Sequence, residues 1–460
     1  MSTEQQVDVA PDHIDDVVSA RVHLFVRMWA IAHVIHLFAA NGSALHTPWS
    51  IATVAAAIAL VLDPSRRWAL VAMLLAQLAD YAAEMPGSPD HWAMIGFANL
   101  AILLTMAVKR SAGAEAVSAS FPAVRAVVLI TYACAAISKY NWHFLDPVTS
   151  CANAIAGRAS FGLTGPVQDT LLLPITSLAM ETSVPLLLLL PFTRRHWVRV
   201  AMLFHFLLSA SPAFSVVDFT SALFAVFLLF LSPEEVQRIL AVVRAGASRS
   251  AIVRDARRKP PVTALLAFAV FGFVGFASPA LAAALVFVAS EIYLLVLLVA
   301  TWWTWRRPAG RQPLGRIRWI HVPVLLLVFA WGLSPYLGLR TTGVFTMFSG
   351  VQTEGTAPNH LFLPVHHLTD WQDQMVLVTE SNDPVLASSA TYELAVPLIA
   401  LRRIATDDPD LTVTGTVDGR EVDFGPGDGE THLAPLPYWE YKLLHFRPVP
   451  VGKAAFCSIS

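Results

Sequence analysis

From Ala280 to Ala300 the chain reads ALAAALVFVASEIYLLVLLVA, and Glu291 is its only charge. About 20 apolar residues are what a helix needs to cross the hydrocarbon core of a bilayer, where no water is available to satisfy the backbone. Runs of this kind recur near 22–40, 46–62, 67–83, 92–108, 122–139, 169–191, 197–210, 213–231, 262–277 and 319–338. Together they predict an all-α polytopic membrane bundle of about eleven spans. Composition agrees, since the chain is 55% hydrophobic and 14% charged with a mean hydropathy of +0.57, outside the range of ordinary soluble domains.

Charge sets the expected orientation. Residues 1–20 hold Glu4, Asp8, Asp12, Asp15 and Asp16 instead of a short basic start, so the first apolar run is not read as a secretory signal. Basic residues gather at Arg66-Arg67, Lys109-Arg110 to Arg125, Arg194-Arg195-Arg199, the 232–260 segment, and Arg306-Arg307 to Arg318. With eleven spans these fall on alternate connections, the pattern of cytoplasmic loops. The short runs 197–210 and 213–231, broken at Ser211-Pro212, are read as two spans because one bent helix would put the last two basic loops on the opposite side. The N-terminus is then cytoplasmic and everything after about residue 340 lies outside a cell membrane.

The tail differs in kind. Residues 341–460 carry six basic and fifteen acidic side chains, a net −9, which argues against nucleic acid as a partner. LTVTGTVDGREVDF at 411–424 alternates up to Asp418-Gly419 and resumes, the pattern of a hairpin. Strands are also predicted at 374–381 and within 390–404, giving a small, mostly β extracytoplasmic domain. Of the three cysteines, Cys134 falls in a span, while Cys151 and Cys457 share the outer side and either pair or stay free.

Ionisable groups at bilayer depth cost a few kcal/mol each on insertion scales, so each is a functional candidate. The topology gathers His33, His36, Asp80, Glu84, His91, Lys139 and Asp218 near the outer face, with Glu181, His205 and Glu291 inside spans. Each has a plain structural reading. A terminal lysine snorkels, an i, i+3 histidine pair packs, and a lone carboxylate links helices. Lys139 stands where TYACAAIS turns polar, followed by Asn141, His143 and Asp146. A lysine becomes a base only when desolvation keeps it neutral. No compact histidine box, zinc spacing, phosphate loop or Ser-His-Asp pattern is present in the sequence, and no metal is expected.

At AAISKYNWHFLDP the chain resembles the vitamin K-dependent γ-carboxylase superfamily, whose shared membrane portion is the horizontally transferred transmembrane domain. Further matching stretches are FVRMWAIAHVI with Arg27, DHWAMIGFANLAIL with Asp90-His91, AMETSVPLLLLLPFTRRHW around Glu181, and AMLFHFLL with His205. PYLGLRTTGVFTMFSGVQTEGTAPNHLFLP at 335–364 is similar to a junction in bacterial members. The resemblance covers most of the chain, best over a domain at 21–240, followed by a basic loop and added helices at 241–340 and the β-rich part at 341–460. It implies a lyase or oxidoreductase that uses a reduced quinone of vitamin K or menaquinol type, with Lys139 as the base and His91 as its companion. His33, His36, Asp80, Glu84, His143, His205 and Asp218 are taken as substrate-binding. Expected partners are membrane lipid, a lipid quinol and an exported peptide or protein. The family's eukaryotic enzyme has a larger lumenal portion that grips a propeptide, where this chain has about 120 residues. The reading of another class is a non-catalytic membrane factor for maturation or export of a peptide or protein.

Overall fold

Polar and proline punctuation between the apolar runs sets where helices start. Thr47 caps Pro48–Leu62 in a reciprocal box with Ser50, Ser150 caps Cys151–Ala159 and Asp383 caps Pro384–Thr391, each satisfying backbone N–H groups that lack an intrahelical partner. The computed structural model describes residues 11–39, 47–249, 278–307, 310–355, 358–426, 433–450 and 457. Its helices are α1 (Pro11–Ala39), α2 (Pro48–Leu62), α3 (Arg67–Glu84), α4 (Asp90–Lys109), α5 (Ala114–Ser138), α6 (Cys151–Ala159), α7 (Gly165–Gln168) and α8 (Leu172–Leu189). They continue with α9 (Arg194–Ser209), α10 (Val217–Phe227), α11 (Pro233–Arg249), α12 (Pro279–Trp303), α13 (Val322–Leu333), α14 (Pro384–Thr391), α15 (Leu398–Asp407) and α16 (Tyr438–Leu443).

The chain is mostly helical with a small C-terminal antiparallel sheet. Among the described residues, five helices are long and apolar enough to cross a membrane: Val18–Phe38 of α1, α4, α5, α8 and Ala280–Trp303 of α12. Shorter apolar stretches are Pro48–Leu62, Val217–Phe230 and Trp319–Leu333. The expectation of about eleven spans is therefore not supported. The predicted span at 262–277 lies outside the described residues. The others do fall on helices, but helix formation and bilayer crossing are separate demands. α3 holds Arg67, Gln77, Asp80 and Glu84. α9 opens on Arg194-Arg195-His196 and has 16 residues, about 24 Å of rise against a core of roughly 30 Å.

The chain divides into two compact units. The first comprises Met1–Asp80, Ile95–Val128 and Leu186–Val324, and the second Tyr81–Met94, Leu129–Pro185 and Leu325–Ser460. In the first, α1 packs against α2, α10, α11 and α12. Every residue of α10 is buried, as expected of a helix apolar on all faces. Arginines close the helix ends. Arg125 donates to the Leu229 and Leu314 carbonyls at 2.8 and 2.6 Å, and Arg195 and Arg199, which share the buried Glu235 carboxylate, donate to the Thr304 and Thr301 carbonyls at the end of α12 at 3.4 and 3.0 Å. Cations at helix C-termini meet both unpaired carbonyls and the negative end of the helix dipole.

The second unit holds the sheet, β1 (Met375–Ser381), β2 (Leu394–Pro397), β3 (Val413–Val417), β4 (Arg420–Phe424) and β5 (Val449–Pro450), ordered β4-β3-β1-β2-β5 and antiparallel throughout. The predicted hairpin is β3–β4 in the register Val417↔Arg420, turning on Asp418 and Gly419 at φ 50° and 78°, the left-handed pair that a two-residue turn of type I′ requires. The strand expected within 390–404 is shorter, since only Leu394–Pro397 pairs and α15 follows. Pro397 has no N–H to extend a ladder, and Leu401 and Ile404 follow at helical spacing. Val376, Val378, Val396, Leu401, Leu411 and Val413 form the core beneath α14 and α15. Lys442 donates to the Ala83 and Met85 carbonyls, both at 2.8 Å, while His445 and Arg340 bond Pro86 O, so C-terminal residues hold the connection between α3 and α4.

Candidate functional site

Lys139 follows the last turn of α5, its N–H closing onto Ala136 O at 3.1 Å. The residue is only 4% exposed. Its ammonium lies 2.7 Å from Glu181 Oε2 and donates to Met347 O at 2.8 Å and, more weakly, to Ala135 O at 3.5 Å. Three N–H groups thus meet three acceptors. The Phe144 ring lies 5.9 Å away. Glu181 projects from α8, with Ser177 Oγ 3.4 Å from Oε1. One residue on, Thr182 meets Tyr140 OH at 3.1 Å, so two consecutive residues of α8 engage two consecutive residues after α5. Burial of this lysine does not come from Trp142, which is 67% exposed; it comes from α8, Phe144 and the segment carrying Met347.

The polar run after Lys139 is a clamp. Asn141 is fully buried and donates to Ser138 O and Ser349 O, both at 2.8 Å, while accepting from Phe144 N–H at 2.9 Å. The Asn359 side chain donates to His143 Nδ1 at 2.7 Å and to Gly350 O at 2.8 Å, and its backbone carbonyl accepts from Trp142 N–H at 3.1 Å. Burial lowers the His143 pKa below its ordinary value, consistent with a neutral ring accepting from the amide. His360 donates from Nε2 to Ile137 O at 2.9 Å. Met347, Ser349, Asn359 and His360 therefore brace the Lys139 segment, a role that nothing in their sequence pattern announces.

The seven groups expected at one depth divide between the units: His33, His36, Asp80 and Asp218 belong to the first, and Glu84, His91 and Lys139 to the second. In the first unit His36 Nδ1 pairs with Asp218 Oδ2 at 3.1 Å. His33 instead joins a buried network, donating to Trp29 O at 2.7 Å and accepting from Asn99 at 3.2 Å, while Asn99 also bonds Trp29 and Gln77. That pattern fixes one neutral tautomer. Asp80 accepts from Thr47 Oγ1 at 2.6 Å and so anchors the start of α2. His205, in α9, packs edge-on against Phe204 and Phe219 at 5.2 and 5.6 Å. In the second unit Glu84 ends α3 and His91 is the second residue of α4.

Glu181 is the partner that the predicted site set left out, although its place in AMETSVPLLLL marked it as a carboxylate without an interface nearby. No family model, curated protein or solved structure matches this chain.

Proposed function

We propose that this protein is a membrane-embedded acid–base catalyst acting on a weakly acidic hydroxyl carried by an apolar molecule, a lipid quinol being the substrate class that suits it best. The observation that carries this reading is the buried Lys139–Glu181 pair at 2.7 Å. An ion pair taken out of water is weak evidence for stability, and a lysine held at this depth against a carboxylate is a functional candidate by default. Shift of a proton from Lys139 to Glu181 leaves a neutral amine. Lys139 then takes the proton of the substrate hydroxyl, and the pair, now carrying one extra proton, holds the resulting oxyanion. Tyr140, Phe144 and Phe362, the last 5.6 Å from Tyr140, are surroundings suited to an aromatic ring. The short likeness to the quinol-using carboxylases at Lys139 supports the same assignment.

The test uses the full chain in lipid nanodiscs with a reduced short-chain menaquinone under air, oxidation by dioxygen giving quinone and hydrogen peroxide. Protein-dependent oxygen uptake is expected from the wild type. K139R, which keeps a cation beside Glu181 but cannot act as a base, is expected to lose it with unchanged melting temperature. Full uptake by K139R would remove the base role and favour a non-catalytic factor for maturation or export of a peptide or protein.

A further inference from the structure

The second unit contains a cavity of about 510 Å³ apart from the Lys139 pair, within the size range of small-molecule sites. Its apolar floor includes Leu386, Leu394, Val396, Ala400 and Phe446, residues continuous with the core beneath the sheet helices. Its polar wall is made of Thr341, Thr342, Ser388 and Ser389, and the Cys151–Cys457 disulfide lines one edge. The charged and titratable side chains lining it are Arg403, Arg447, His445, Asp90 and Tyr392. This excess of basic groups sits in a tail of net charge −9.

The bases differ in how far they are already satisfied. Arg447 Nε bonds the buried Glu354 at 3.1 Å. His445 Nδ1 donates to Pro86 O at 2.9 Å. Arg403 is left short, for its Nε is buried without a hydrogen-bond partner and its Nη1 comes only within 3.8 Å of Asp407, whose other oxygen takes the Tyr441 hydroxyl at 2.7 Å. Thr342 Oγ1 is also buried without a partner. The half-buried Arg403 guanidinium thus faces the cavity with no close counter-charge, and a carboxylate matches its planar fork. We infer that this cavity binds a monocarboxylate with an apolar body, the carboxylate on Arg403 and the body on the floor formed by Leu386, Val396 and Phe446.

Isothermal titration calorimetry on the full chain in nanodiscs, blanked against empty nanodiscs, tests this with 4-phenylbutanoate, 4-phenylbutanamide and inorganic phosphate. The carboxylate is expected to bind, with the amide and phosphate at least about tenfold weaker. R403M is expected to lose about tenfold, whereas R402M, whose parent side chain bonds Ala434 O, keeps wild-type affinity. Should R403M fail to fold, phenylglyoxal labelling of the wild type gives the same answer, because 4-phenylbutanoate should protect Arg403 and leave Arg402 reactive. No binding of the carboxylate, equal binding of the amide or phosphate, or an unprotected Arg403 would overturn the inference.

Discussion

A lysine and a glutamate buried together behave differently from either alone. Removing one member of the Lys139–Glu181 pair leaves a charge without its counter-charge, at roughly 3–5 kcal/mol. E181L is therefore expected to destabilise strongly in a thermal or proteolytic unfolding assay, and K139M/E181L to recover most of the loss while staying inactive. A second residue-scale prediction concerns His445, outside the membrane-spanning helices. Burial first, then the charges of Arg403 and Arg340, push its pKa down to about 3, although its bond to Pro86 O opposes this. An unfolded histidine titrates near 6.5, so between about pH 6.5 and about 3 the unfolded chain binds a proton that the folded one does not. Stability should therefore be lost as pH is lowered through that window, by at most about 1.4 kcal/mol per unit. H445Q should flatten the slope of melting temperature against pH, and an unchanged slope would show that other groups set it.

At the scale of elements, close approach and turn geometry decide what is tolerated. A Cβ at Gly332 of α13 would lie 2.4 Å from the Cys134 sulfur and 2.9 Å from its Cβ, so α13 meets the end of α5 only because no side chain intervenes. G332A is expected to lower the melting temperature and C134A to restore part of it in the double variant; additive losses would place the cost elsewhere. At the β3–β4 turn the space beyond Gly419 is open but φ is +78°, so G419V should cost about 1 kcal/mol or more through backbone strain alone. That turn was readable in advance, because Asp-Gly between alternating runs demands positive φ locally. The extent of β2 was not. Pairing of Leu394–Pro397 depends on β1 and β5, which are distant in sequence.

For the molecule as a whole, the disulfide joins residues 306 apart in sequence. Peptide mapping without reduction is expected to find Cys151 linked to Cys457 and Cys134 free; two free thiols from protein made in an oxidising envelope would refute the link. The proposed orientation is checked by single cysteines at Gln312 and Asp410, the first labelled only from the cytoplasm and the second only from outside. Sequence by itself determined the helical class, the hairpin, and the ionisable residues worth attention, because apolar period, turn chemistry and the cost of a charge in an apolar run are local. Its count of about eleven spans is not supported, because among the described residues several apolar runs, α10 with 11 residues among them, form helices too short to meet the length that a bilayer crossing asks. Only the tertiary structure decided that Lys139 meets Glu181, that His33 is spoken for by Trp29 and Asn99, that Asp80 holds the Thr47 cap of α2, and that Arg403 faces a cavity. Each of these depends on which distant segments share a few ångströms, a property of packing that no single stretch of chain encodes.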